Sequence, residues 1–134
     1  MRAFGGPMSE FQYAPKVWAA FLNPRFCRRD EPHHFQAQAS EPLTATWVRL
    51  AVALEDSRVQ WRYNARACPA TIAALEGFCA DACDKPISEL RFDARAWLSD
   101  LNVPTERLTR FLLIEDALQS IQALVRSSAG VRRD

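Results

Sequence analysis

Cys68 stands in the stretch ACPATIAALEGFCADAC, where a strand-like pattern gives way to a helical one. Pro69 suits the first helical position, where its missing N–H costs nothing, so Cys68 is expected at the N-cap. The unsatisfied N–H groups and the positive end of the helix dipole favour thiolate over thiol there, which makes Cys68 a candidate sulfur acceptor or ligand. The other cysteines do not join it. Cys79 lies eleven residues further on, about 16 Å along a straight helix and too far to share an ion. Cys79 and Cys83 sit at i and i+4, but no second ligand pair with metal-site spacing follows, and both read as small apolar residues facing the core. Cys27 with His33 and His34 is a weak metal signal, since adjacent histidines rarely point at one ion.

Other chemistry is missing from the chain. It has no glycine-rich phosphate loop, no HExxH zinc motif and no inferable nucleophile-base-acid triad, so no enzymatic activity is expected. Arg25, Arg28 and Arg29 form a basic cluster without the interleaved aromatics of RNA readers, and the formal net charge is only +1. Neither nucleic acid nor an anionic membrane is an expected partner. The leading residues MRAFGGPMSE carry no sustained apolar run, no stretch is long enough to span a bilayer, and four cysteines are too few for a secreted disulfide framework. A cytoplasmic protein with reduced thiols is the expectation.

The elements that must position Cys68 can be read from periodicity. The chain has 134 residues, 49% of them hydrophobic, enough for one domain with a real core. Residues 1–14 read as a flexible leader, 15–128 as a single domain and 129–134 as a flexible tail. Val17, Trp18, Phe21 and Leu22 have helical spacing between Pro15 and Asn23, and Pro24 stops that helix. The charged stretch RFCRRDEPHH reads as a loop. From Thr46 the period changes to two: Val48, Leu50, Val52 and Leu54 face one way, opposite Trp47, Arg49, Ala51 and Ala53. Glu55, Asp56 and Ser57 turn the chain into a second strand in which Val59, Trp61 and Tyr63 alternate with polar residues, and His34–Ser40 supplies a third, edge strand. The rest is helical. Ile72, Leu75 and Cys79 mark one face of the helix after Cys68, which frays near Asp84 ahead of Pro86. Residues 87–101 hold one or two short helices, and Pro104 starts the longest one, striped by Leu108, Phe111, Ile114, Leu118, Ile121 and Val125. This order predicts an α+β domain, a small three-stranded antiparallel sheet packed against helices.

Several stretches together resemble one family, the NifU/IscU-type iron–sulfur cluster assembly scaffold domain. FLNPR, residues 21–25, is similar to the family's aromatic-x-Asn-Pro-Arg segment at the end of its first helix. VRLAVALEDSRVQWRYNARAC resembles the hairpin leading to the family's central cysteine, with Cys68 in its place. CPATIAALEGFCADACDKPISEL is similar to the small-residue helix and turn that follow. LNVPTERLTRFLLIEDALQSIQALV resembles the segment that carries the family's Leu-x-Leu-Pro-x-x-Lys-Leu-His-Cys and Leu-Ala-Glu-Asp-Ala motifs. The resemblance runs from Val17 to Val125.

This resemblance implies the same three-stranded fold and a divergent scaffold-like protein. In the family, three cysteines and a nearby Asp or His hold iron and accept sulfur from a cysteine desulfurase. Here the family's Cys-Gly-Asp corresponds to Thr44, Ala45 and Thr46, and its His-Cys pair to Thr109 and Arg110. Cys68 alone remains as a candidate sulfur acceptor, residual cluster ligand or metal ligand, with Thr44, Thr46, Thr109 and Arg110 as former cluster-pocket positions. One cysteine does not supply the thiolates that iron or an iron–sulfur cluster takes, so no stably bound cofactor is expected; the resemblance keeps open iron or an iron–sulfur cluster, as in a dimer that shares two Cys68 residues. The resemblance further implies contacts with a cysteine desulfurase or a chaperone of cluster assembly. Arg107 stands at the lysine of the chaperone-recognised segment, although Thr105 and Glu106 depart from it, and Asn23 and Arg25 are further contact candidates. Arg66, Arg107 and Arg110 are expected near Cys68, where positive charge lowers a thiol pKa. Two other readings stand beside this one: a protein- or anion-binding module on the scaffold fold, and a single-thiol persulfide carrier. The expected state is a monomer or weak homodimer.

Overall fold

The computed structural model describes residues 13–27, 34–55 and 58–133. Most of the expected leader, together with Arg28, Arg29, His33, Asp56 and Ser57, lies outside them. Among the described residues, four α-helices and three strands follow in the order α1 (Pro15–Leu22), β1 (Phe35–Glu41), β2 (Thr46–Glu55), β3 (Arg58–Arg66), α2 (Pro69–Ala82), α3 (Ala94–Asp100) and α4 (Leu108–Arg133). Short 3-10 turns at Pro42–Thr44, Ile87–Glu89 and Thr105–Arg107 complete the trace. The strands form one antiparallel sheet in the order β1-β2-β3. The expected α+β architecture, including the edge strand, is the observed one.

The period-two pattern decides which face is covered. Val48, Leu50 and Val52 of β2 and Trp61 of β3 are wholly buried, and Tyr63 nearly so. Each such side chain removed from water contributes about 2 kcal/mol. Leu54, grouped with them by alternation, is 45% exposed: it pairs with Val59 at the turn end of the β2–β3 hairpin, next to the last pair, Glu55 and Arg58. α4 packs across β1 and β2 through the predicted stripe, with Phe111, Ile114, Leu118 and Ile121 buried, while α2 lies beside β3. An aromatic chain ties these layers together: Trp61 meets Phe78 edge-on at 5.3 Å, Phe78 meets Phe92 at 5.9 Å, and Phe92 stacks on Trp97 at 5.9 Å.

Three details depart from the sequence pattern. α1 buries Val17 alone of its expected apolar face and leaves Trp18, Phe21 and Leu22 exposed. α2 is buried nearly all round, through Ala70, Thr71, Ala73, Ala74, Leu75, Glu76, Phe78, Cys79 and Ala82, so the stripe through Ile72 was too narrow. Small side chains let α2 sit close to its neighbours on several sides, and this erases the amphipathic signature. Pro104 begins a 3-10 turn, with the α-helix itself starting at Leu108, and α4 then continues to Arg133, past the expected domain limit at residue 128.

Candidate functional site around Cys68

The end of β3 delivers Cys68 to the first turn of α2. Cys68 is the N-cap residue, extended at φ −72° and ψ 163°, and Pro69 takes the first helical position as expected. The thiol is half-buried. Thr71, three residues on and itself fully buried, brings its hydroxyl to 3.3 Å from the Cys68 Sγ. This is the position from which a side chain reaches back to an N-cap, so Cys-x-x-Thr carries the geometry of a capping box with sulfur in the acceptor's place. No full side-chain cap bond to the helix amides is closed.

α4 and the turn before it supply positive charge. Arg110, in the first turn of α4, and Arg107, in the turn before it, are both close enough to the Cys68 thiol to act on it. Burial works in the other direction and would raise the thiol pKa; Thr71, Arg110 and Arg107 together outweigh it, and the Cys68 thiol lies below its ordinary value. Arg66, the third expected arginine, is exposed at the end of β3 opposite Trp47. Thr109 is likewise exposed.

The remaining pocket positions are organised by a residue that the sequence did not single out. Glu41, at the end of β1, accepts the backbone N–H groups of Leu43 and Thr44 at 2.9 and 3.0 Å and the Thr44 hydroxyl at 2.8 Å. Thr44 Oγ1 lies 2.7 Å from Thr46 Oγ1. Since the Thr44 proton goes to the carboxylate, the Thr46 hydroxyl is the donor of that pair. These bonds, the Leu43 amide first, hold the Glu41 carboxyl below the usual range, and Arg110 adds to the effect. Arg110 thus acts on both Cys68 and Glu41. The turn closes through Ala45 in the left-handed region, φ 54° and ψ 35°.

Tyr13 completes the surroundings. Its hydroxyl accepts from Arg107 Nη1 at 2.9 Å and the guanidinium lies 5.7 Å from the ring centroid; burial first, and then the nearby Cys68, push the phenol pKa up. One thiol, two threonine hydroxyls and two guanidiniums do not make the soft-thiolate set that iron or an iron–sulfur cluster takes. Among the described residues, no three His, Cys, Asp or Glu side chains converge as a metal site.

The other candidates lie elsewhere. Asn23 caps α1, its N–H bonded to Ala19 O at 3.2 Å, and the Arg25 side chain is exposed while its amide is pinned to Glu76. Cys79 is fully buried, which pushes its thiol well up, and Cys83 points its sulfur at the Cys79 carbonyl, 3.2 Å away, so the two sulfurs do not converge. Cys27 forms a parallel bridge with Tyr63, and His34 Nδ1 accepts from the Leu54 amide at 3.1 Å. Sequence reasoning missed Tyr13, Glu41, Thr71 and Glu76. The N3 position of Thr71 and the single charge of Glu76 within a run of small residues were the available signals.

No protein-family model matches the sequence, and no curated protein sequence matches it. Solved structures do. The chain superposes with a TM-score of 0.66 on a structure from the thermophile Fervidobacterium islandicum AW-1, described as an iron–sulfur cluster assembly scaffold protein for the SUF system. That match has 14% identity and covers 82% of this chain and 96% of the other. A nitrogen-fixing NifU-like protein from Brucella abortus, in its N-terminal part, matches with a TM-score of 0.57 and 12% identity over 82% and 94% of the two chains. The chain has the fold of the NifU/SufU-like iron–sulfur scaffold proteins.

Proposed function

We propose that this chain is a divergent scaffold-like protein of iron–sulfur cluster assembly that handles sulfur through one thiol, Cys68, and lacks a self-sufficient cluster site. The observation that carries this reading is Cys68 at the N-cap of α2, its sulfur 3.3 Å from the Thr71 hydroxyl, with Arg110, which by the resemblance stands for a thiolate, close enough to lower the thiol pKa. A fixed cation there takes the electrostatic part of a metal ion, stabilising a thiolate without ligating anything. A cysteine desulfurase or a chaperone of cluster assembly is the proposed partner class.

The chemistry that one such thiolate can perform is sulfur acceptance. The Cys68 thiolate attacks the outer sulfur of a donor persulfide, R–S–SH. The donor S–S bond breaks, R–S⁻ leaves with the electron pair, and a new S–S bond leaves Cys68 as the persulfide. No external oxidant or reductant is needed. Incubation with a low-molecular-weight persulfide should add one sulfur to the intact mass, and Cys68→Ser should abolish the addition. Transfer that survives in Cys68→Ser, or anaerobic reconstitution of a stable cluster on three protein thiolates, would overturn the reading.

A second reading, a protein- or anion-binding module, is favoured by the Glu41–Thr44–Thr46 network, which seals the former ligand turn with hydrogen bonds. Cys68 alkylation no faster than that of a free cysteine at neutral pH would move the balance to it.

A further inference from the structure

The sheet has a second face. α4 and α2 cover the side that carries Val48, Leu50, Val52 and Trp61. The alternate residues make the other side, and the described residues bury none of them. Pairing places Arg66 directly opposite Trp47, Arg49 between Gln38 and Asn64, and Arg62 one row further along. Successive same-face residues on a strand stand about 7 Å apart, so Arg49, Arg62 and Arg66 are anchored within about 14 Å of one another. No carboxylate stands in these three rows.

What this face offers is donors. Arg49 Nε and Nη2 donate to Gln38 Oε1 at 3.1 and 2.8 Å, and Asn64 Oδ1 accepts the Ala65 amide at 2.9 Å. Both amides spend their oxygens within the chain and keep their N–H₂ groups as donors. The Arg49 guanidinium lies over Trp47, 5.2 Å from the ring centroid, and Arg62 lies over Phe26 beside β3, at 5.5 Å. We propose that this open face binds single-stranded nucleic acid, with the arginines taking phosphates, and Trp47 and the guanidinium layered on it stacking against a base. A flat sheet suits such a ligand, since a splayed strand needs a stacking surface for base faces and donors for phosphates and base edges. An acidic polypeptide would satisfy the arginines and make no use of the indole. The expectation against nucleic acid rests on the basic loop and on a net charge of +1. A whole-chain average hides a local field, and alternation with apolar residues disperses these arginines along the sequence until the register gathers them.

The test is a fluorescence-anisotropy titration with a labelled oligo(dT) about twenty nucleotides long. Saturable binding is expected that weakens with salt, the slope of log K against log[salt] being about −2 for three phosphate contacts. Arg66→Ala should weaken binding and flatten that slope by about 0.7. Trp47→Leu should weaken it about tenfold and leave the slope unchanged, as loss of stacking requires. Arg66 is exposed, so its variant tests the face even where the loss of the indole disturbs folding. The absence of saturable binding at about 50 mM salt overturns the proposal, and so does binding that both variants leave unchanged. Polyglutamate that displaces oligo(dT) at equal charge concentration overturns it as well, and assigns the face to acidic polypeptides.

Discussion

Glu76 grips Arg25 by its backbone: both carboxylate oxygens lie 2.9 Å from the Arg25 amide nitrogen. One of them also accepts the Phe26 amide at 3.0 Å and the Tyr63 hydroxyl at 2.8 Å. Glu76 is 7% exposed, and these donors are how a charge that makes no salt bridge with the other described residues is tolerated inside helix α2. Burial, and then the bond to Glu76, push the Tyr63 phenol far up, so it remains a donor at any working pH. The grip docks the segment after α1 against β3, where Tyr63 N bonds Phe26 O at 3.0 Å.

Glu76→Ala should therefore destabilise the fold by about 3 kcal/mol, because several charge-assisted bonds vanish and leave buried donors unsatisfied. Urea denaturation measures the loss, and hydrogen exchange at the Arg25 and Phe26 amides should rise more than in the core strands. A loss under about 1 kcal/mol would show that water replaces the carboxylate at little cost.

Ala45 offers a test of the pocket correspondence. It holds φ 54° between Thr44 and Thr46, a conformation that costs a residue with Cβ about 1–2 kcal/mol. Glycine adopts it freely but loses more chain entropy on folding, about 0.5–1 kcal/mol. Ala45→Gly should be neutral or stabilise by up to about 1 kcal/mol, whereas Ala45→Val should cost more than Ala45→Gly gains. Thermal melts of the three proteins decide it. Marked destabilisation by glycine would mean that the turn is not strained.

The strands and the long helix were legible because their faces differ: one side buried, the other wet, at period two or 3.6. α2 was legible as a helix and illegible as a packed object, since alanines, Gly77 and Cys79 carry no amphipathic contrast. Cys68 and its proline could be placed from local rules alone. Glu41, Tyr13 and Arg110 meet around it only through tertiary structure, from β1, the segment before α1 and α4, so no local spacing could announce them. The exposed Trp18 and Phe21 show the limit of periodicity, which marks an apolar face without saying what covers it.

Gly77 follows from the same close packing. A Cβ built there would fall on the six-membered ring of Trp97, which is stacked against Phe92 with an interplanar angle of 6° and has little room to retreat. Alanine is the better helix former by about 1 kcal/mol, yet overpacking costs about 1–3 kcal/mol. Gly77→Ala is expected to destabilise, and Gly77→Ala combined with Trp97→Leu to recover part of the loss. Denaturant midpoints measure both, and a stabilised single variant would show that α3 shifts freely.

Cys68 and Cys79 should behave as opposites toward pH. The Cys68 thiol lies below its ordinary value, so its alkylation rate should level off at lower pH than that of free cysteine; Cys79, pushed up by burial, should stay unmodified until the protein unfolds. Peptide-resolved alkylation across the pH range, with and without denaturant, reads both sites. Equal rates at the two cysteines in the native protein would contradict the burial and charge arrangement at both.

The donor set around Cys68 makes the sharpest prediction. If the proposed correspondence holds, Thr44 and Arg110 stand where the scaffold family carries thiolates, and a guanidinium presents a cation where a metal would need an electron pair. The double variant Thr44→Cys, Arg110→Cys removes that repulsion and places two further thiols in the pocket of Cys68. Titration with Co²⁺ under reducing, anaerobic conditions should then give intense thiolate-to-metal absorption at one equivalent, while the wild-type chain gives none. Arg110→Met alone separates the two causes: a gain in affinity from this variant would show that charge is the main obstacle, and no gain that ligand number is. Equal absorption by the wild-type protein would mean that the guanidinium swings away to admit the ion, and that Cys68 does not stand alone as a ligand.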